Sequence, residues 1–399
     1  MINIFGEDSA TTKGVFKKLA AMVEAEADNV LSALAGLEVF ARELTDLFDS
    51  CTDFNITGHL ANNVLLVGDD GAADEVDDGT AQWLEPATDA CQIKVMAMKV
   101  LIAKLHGFAA VADLIEPDHL AANVTPIIQL LGRCCDMYGE LIAVDGSGVG
   151  TWACDRSRLR LTAATGLFEI LNVPQFAELA GFEIFHIAAA ILQDSCEEVR
   201  ARLLDVVCRL ADTNKISLKH VCALVLCAAD PSKDITNKAK TTLRKYIKSQ
   251  RDKLRATKKG GRGVAGAAPP PEYALPYLLL ILAHHQDYND DPKEYDDMFV
   301  SFGIAEQLRL VGAMKPYLDF FLDTACTKGA EGFGFLKALA DSTRVLKDPI
   351  TPEHSEPLHF VTEFAIVVIL ERARTAKLRH HLEDISFVLS ASDHPSRAV

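Results

Sequence analysis

Two stretches of this chain superimpose at an offset of 36 residues without a gap, and that repeat restricts the fold more than any other feature. Setting Asp194 on Asp230 aligns Phe185, Ala188, Ala189 and Leu192 with Val221, Leu224, Val225 and Ala228. Downstream, Val199, Leu203, Val207 and Leu210 align with Ile235, Ala239, Leu243 and Tyr246. A partial third copy begins at Asp155, where Ala164, Phe168 and Leu171 stand in for Leu203, Val207 and Leu210. Each unit reads as a helix, a short Asp-bearing turn and a second helix. The Asp is placed to accept the unpaired N–H groups of the second helix, and Arg200 follows shortly inside it. Helix pairs recurring at about 36–40 residues mark HEAT-like or armadillo-like arrays. One pair cannot bury its apolar face alone, so neighbours must stack. The expected fold is all-α, a HEAT-like helical-repeat solenoid (α-α superhelix).

The breaks between helical stretches set the organisation. Residues 50–90 include DDGAADEVDDGTAQ, acidic, Gly-rich and too poor in apolar residues to bury surface. AVDGSGVGTWA (143–153) and TKKGGRGVAGAAPPP (257–271) are further loops, rich in residues that oppose helix. The reading is N-terminal helices of the array over 1–49, a flexible acidic linker over 50–90, and HEAT-like repeats over 91–256. A Gly/Pro-rich insertion follows over 257–271, then C-terminal HEAT-like helices over 272–390 and a tail over 391–399. In CQIKVMAMKVLIAKLHG, Ile93, Met96, Val100, Leu101 and Leu105 share one stripe, and Gly107 is expected to end that helix. No alternating strand pattern stands out.

PEYALPYLLLILAHHQDY (271–288) is the most apolar run, but it meets His284-His285 after ten residues, short of the roughly 20 a bilayer-spanning helix needs. It reads instead as the first helix of a later unit, with Tyr277, Leu278, Ile281 and Leu282 inward and Pro276 in the first turn, where a missing N–H is tolerated. The N-terminus lacks a basic start followed by an apolar core, so no secretory signal is expected, and a soluble, intracellular chain is. Hydrophobic residues make up 49%, ample for burial, and the ten Cys include no CxxC pair. Cys134-Cys135 are adjacent, and Cys208, Cys222 and Cys227 lie in apolar helical patterns. They read as reduced core thiols rather than a disulfide or zinc framework.

Charge is uneven. The net charge is −16, yet residues 238–262 hold eleven Lys/Arg against Asp252 alone, so that window is +10 and the remainder −26. General acidity argues against a broad nucleic-acid binder, while the local run suits phosphates or an acidic peptide. Its apolar stripe is Ala239, Leu243, Tyr246 and Ile247. Aromatic interleaving is minimal, which disfavours a single-strand stacking platform. A solvated surface is the bland alternative.

Chemistry-bearing motifs are scarce. GSGVG (146–150) has no strand before it and no Lys-Ser/Thr ending, and reads as a linker rather than a phosphate loop. Adjacent His284-His285 and His380-His381 point about 100° apart on a helix and suit helix ends near carbonyls better than a shared metal. No GxSxG or other nucleophile setting occurs. No catalytic, cofactor-binding or metal-ligating residue is assigned, no cofactor is expected, and the chain reads as no enzyme.

Four blocks, in order, resemble the Pds5 family of sister chromatid cohesion proteins. They are WLEPATDACQIKVMAMKVLIAKLHG (83–107), RSRLRLTAATGLFEIL (156–171), CALVLCAADPSKDITNKAKTTLRKYI (222–247) and PPEYALPYLLLILAHHQDY (270–288). Family members are much longer, and the resemblance falls on their C-terminal third. It implies a non-enzymatic HEAT-repeat protein of the nucleus that binds the kleisin subunit of cohesin. It further implies action with a Wapl-type release factor and a cohesin acetyltransferase, reaching chromatin indirectly and no membrane. The basic second helices then supply the partner-binding candidates: Arg200, Lys238, Arg244, Lys245 and Lys248. The alternatives are a different helical-repeat adaptor, for example in transport or phosphatase assembly, and direct nucleic-acid binding through 238–262.

Overall fold

Apolar side chains spaced three and four residues apart place the chain in helices, and the computed structural model shows where they pack. It describes residues 10–25, 28–45, 48, 55–70, 72, 83–142, 149–259, 269–286, 304–325 and 330–375. The chain divides into two compact units, Met1–Leu203 and Leu204–Val399. The fold is the expected all-α helical repeat. Among the described residues the only β pairing is a two-residue antiparallel ladder joining Asp69–Asp70 to Val149–Gly150, at the end of the GSGVG stretch.

The first unit holds α1 (Ala10–Glu24), α2 (Val30–Glu43), α3 (Asp89–Val111), α4 (Pro117–Asp136), α5 (Ala153–Ile170), α6 (Pro174–Ala190) and the start of α7 (Glu197–Asp212). Helix α3 packs on α4 and α5 on α6, while α3 also packs on α5 and α4 on α6. This two-layer stacking is what a helical repeat needs to close its core. Helix α4 ends where Tyr138 and Gly139 turn to positive φ and the Gly139 N–H bonds the Cys134 carbonyl, 2.8 Å. A side chain at Gly139 would collide with the Arg156 backbone. Helix α6 kinks at Gly181, φ 67°.

Several expectations need correction. Gly107 does not end α3, which runs on to Val111. It lets α3 approach α2 closely: a Cβ there would collide with the Thr45 hydroxyl and lie 2.7 Å from the Ala41 carbonyl. Helix α3 is also buried on more sides than one stripe, from Val100 through Leu105, while Ile93 and Met96 are half-buried. Residues 55–70, inside the stretch expected as a linker, are structured. Asn55 caps a helical turn at Ile56–His59 that continues as a π-helical turn, Leu60–Leu65, and Ile56, Leu60 and Leu65 are buried. Residues 73–82, the most acidic part, lie outside the described residues. Asp155 is not at a turn; it sits in the first turn of α5, buried, accepting a 2.6 Å bond from the Thr88 hydroxyl.

The aligned repeats hold in detail. Asp194 Oδ1 accepts from the Cys196 N–H at 2.8 Å, and Asp230 Oδ1 accepts from the Ser232 N–H at 2.7 Å. The carboxylates thus shape the same turn just ahead of each second helix rather than capping from within it. Every aligned apolar residue is buried except half-buried Ala228. One partner differs: the first helix of the second repeat is a short turn, Leu218–Val221, followed by 3-10 helix over Cys222–Ala229. Its core, Cys222–Cys227, is buried on all sides, so no polar face marks the α-helical period there.

The second unit adds α8 (Lys233–Lys259), α9 (Ala274–Ala283), α10 (Ile304–Ala325), α11 (Ala330–Thr343) and α12 (Glu356–Thr375). The 3-10 segment packs on α8, α9 and α10, and α12 packs on α9, α10 and α11. Helix α9 is buried along its whole length, with Pro276 in its first turn. His284, at the C-terminal end of α9, has its Nε2 2.8 Å from Oδ2 of the buried Asp348. His285 lies against the Tyr317 ring, 5.1 Å between centroids. His380 and His381 lie outside the described residues. Two stretches, Asp89–Leu114 and Pro174–Gln193, are long and apolar enough to cross a bilayer by length and composition. Here Met98, Leu101 and Leu105 of the first, and Phe176 and Phe185 of the second, are buried in the core.

The eight described cysteines are unbridged and buried. Burial pushes the Cys91 and Cys134 thiols up to about 12 and Cys222 higher still, so they stay protonated and unreactive at neutral pH. Burial, reinforced by the charge of Lys219, pushes His220 down to about 3. A His whose folded pKa lies below its unfolded value contributes stability above the unfolded value and loses it as the pH falls. Stability should therefore drop by about 2 kcal/mol between pH 6.5 and 5 through this residue. Urea titrations across that range should show a smaller drop for His220→Gln.

Candidate functional site: the basic face of helix α8

Helix α8 presents two faces with opposite tasks. Ile235, Ala239, Thr242, Leu243, Tyr246 and Ile247 are buried, which turns most cations of the basic run outward. The Tyr246 hydroxyl donates to the Ile216 carbonyl at 3.2 Å, and the Thr242 hydroxyl to Cys208 Sγ at 3.2 Å. These bonds lock α8 against the C-terminal part of α7 and fix which cations reach solvent.

Several cations are already engaged. Lys238 pairs with Asp205, whose carboxylate holds the ammonium above its usual pKa. Lys240 pairs with Asp323 at 2.9 Å and lies over the Phe320 ring. Arg251 pairs with Glu272 at 2.6 Å and donates to the Ala325 carbonyl. Lys253 donates to Asn214 Oδ1 at 2.8 Å, and Arg255 sits 3.3 Å from Asp252. Sequence reasoning missed this sorting because Asp323 and Glu272 come from elements 83 and 21 residues away, with no local signal.

Arg244, Lys245 and Lys248 are exposed. They have no ion pair or hydrogen-bond partner among the described residues, as does Lys233 at the start of the helix. Lys245 and Lys248 are one helical turn apart, as are Arg244 and Lys248, so the three form one cluster. Lys245, Lys248, Ser249, Asp252, Lys253 and Ala256 border an open recess of about 540 Å³. The structure thus brings three of the five sequence candidates together in an uncompensated state. Lys238 shares their helix but is paired. Arg200 is buried in the Asp194 turn, donating to the carbonyls of Asp194 at 2.7 Å and Ser195 at 3.1 Å. No group of three or more His, Cys, Asp or Glu suited to a metal occurs among the described residues.

Such a face can attract and hold an extended acidic segment, raising its capture rate more than its intrinsic affinity. Brief treatment with an amine-acetylating reagent, read by peptide mass spectrometry, should modify Lys245 and Lys248 faster than Lys240. Equal rates would remove the distinction drawn between free and paired lysines.

Comparison with known proteins agrees with this fold. The family model described as "Sister chromatid cohesion protein PDS5 protein" matches residues 2–387. The chain is 24% identical over 371 residues to sister chromatid cohesion protein PDS5 homolog A of Gallus gallus, covering 92% of this chain and 26% of that protein. It is 26% identical over 280 residues to homolog A of Homo sapiens, covering 69% and 19%. Against homolog B of Homo sapiens it is 26% identical over 305 residues, covering 75% and 19%. The chain spans about a quarter or less of the length of these relatives.

Proposed function

The chain belongs to the sister chromatid cohesion protein PDS5 family, and on that premise we propose that it is a non-enzymatic regulator of cohesin in sister chromatid cohesion. In this reading it grips the kleisin subunit of cohesin and sets how long the ring is retained on, or released from, chromatin. It works in the nucleus beside a Wapl-type release factor and a cohesin acetyltransferase, touching chromatin through cohesin. In this reading the chain corresponds to the C-terminal third of its long relatives.

One observation carries the choice of contact: Arg244, Lys245 and Lys248 stand exposed without a compensating carboxylate among the described residues. Stacked helices leave a surface on which an extended chain can lie, held by many small contacts. An acidic stretch of kleisin suits the α8 cluster, with paired Lys238 at its edge. Arg200 serves by holding the Asp194 turn in shape. Reversing Lys245 and Lys248 together to Glu should reduce kleisin recovered in pull-downs from nuclear extract about tenfold or more, since each lost close charge contact at an interface is worth about 1 kcal/mol or more. Circular dichroism should show unchanged helicity. Full recovery of kleisin would remove α8 from the contact.

A further inference from the structure

Residues 83–86 lie across the N-terminal parts of α5 and α7 and are held by two arginines. The Trp83 ring is stacked by Arg158 at 4.1 Å and Arg202 at 4.7 Å, centroid to guanidinium carbon. Its indole N–H donates to Glu85 Oε1 at 3.0 Å. That same carboxylate oxygen lies 3.1 Å from Arg158 and 3.9 Å from Arg202. Arg158 also donates to the Leu84 carbonyl. The Trp83 hydrogen bond and the two guanidinium charges hold Glu85 below its usual pKa range.

The helix positions that carry the clamp are set by bonds outside the segment that fills it. Arg158 stands two residues before Arg160 on α5, and Arg202 two residues after Arg200 on α7. Both Arg160 and Arg200 are fixed to Asp194, the first through its carboxylate and the second through its carbonyl. Arg202 is steadied further by Glu198, 2.6 Å away on its own helix. The occupant stays open to solvent: Leu84 is 52% exposed and Glu85 and Pro86 are exposed. Arg202 keeps its Glu198 partner whether or not the segment is seated.

We propose that the Arg158–Arg202 clamp is a docking site for a partner segment carrying an aromatic residue and an acidic residue two positions later, and that Trp83-Leu84-Glu85 occupies it in cis until such a segment competes. Arginine stacks on aromatic faces and forks onto carboxylates, so the pair selects both features at once. The segment sets the threshold because, being part of the same chain, it competes intramolecularly and not at its bulk concentration. The site is distinct from the α8 cluster and does not depend on kleisin binding there.

The test uses the full chain and a fluorescein-labelled peptide of its own residues 82–88, QWLEPAT. The Trp83→Ala/Glu85→Ala variant should bind the peptide saturably in anisotropy titrations, at least about tenfold tighter than the wild-type chain, whose clamp is filled. Adding Arg202→Glu, an exposed position that leaves helicity intact, should abolish that gain, and a peptide with Ala for its Trp should not bind. Absence of saturable binding to the emptied chain would overturn the proposal, as would binding indifferent to Arg202→Glu.

Discussion

A single buried fork of charge ties three helices of the stack together. Arg160, from α5, sets Nε and Nη2 against the two oxygens of Asp194 at 2.5 and 2.8 Å, while its Nη1 donates to the Tyr138 carbonyl at 3.1 Å. Both charged side chains are almost wholly buried. Asp194 keeps enough capacity to shape its own turn through Cys196 N–H, and its carbonyl receives Arg200. The end of α4, the body of α5 and the entry to α7 are therefore fixed by one network. A pair of this kind is not chiefly a source of net stability, since taking both charges from water offsets much of their attraction. Its effect is to set register: each guanidinium nitrogen has a partner, and sliding a helix would leave a buried charge alone.

Much else hangs on that register. The Asp230 turn reproduces the Asp194 turn, and there the helices are held by the core around Leu243, Tyr246 and the buried run Cys222–Cys227 together with the Thr242 and Tyr246 hydroxyl bonds. The outer faces of the second helices differ accordingly. On α7 the arginines serve the turn and clasp Trp83; on α8 the cations divide between remote carboxylates and open solvent. One repeat frame thus carries two unlike surfaces, one already filled by the chain itself and one uncompensated.

The sequence shows the part of this that is periodic. The 36-residue offset, the inward stripe of α8, the first-turn placement of Pro276 and the all-α fold all follow from spacing, because burial acts on every third or fourth residue. What spacing does not show is contact between distant residues. Gly107 reads as a stop signal locally, yet its partner is the backbone at Ala41, which only the packed structure supplies. Asp155 looks like its repeat counterparts but serves Thr88 across the helix layer. Lys240 and Arg251 look as free as Lys245 and Lys248 until Asp323 and Glu272 are brought up. Arg160 passed unnoticed because its acid lies 34 residues downstream. The candidate site was therefore legible as a charged helix, and not as a sorted set of free and paired cations.

The Arg160–Asp194 fork fixes the stack. Unfolding Arg160→Ala in urea, with amide hydrogen exchange followed across α4 to α7, measures this directly. Removing one partner of a buried pair should lower stability by about 3–5 kcal/mol, with protection lost first around the Asp194 turn and the ends of α4 and α7. A loss below about 1 kcal/mol, the range of an exposed pair, with protection unchanged at that turn, would contradict it.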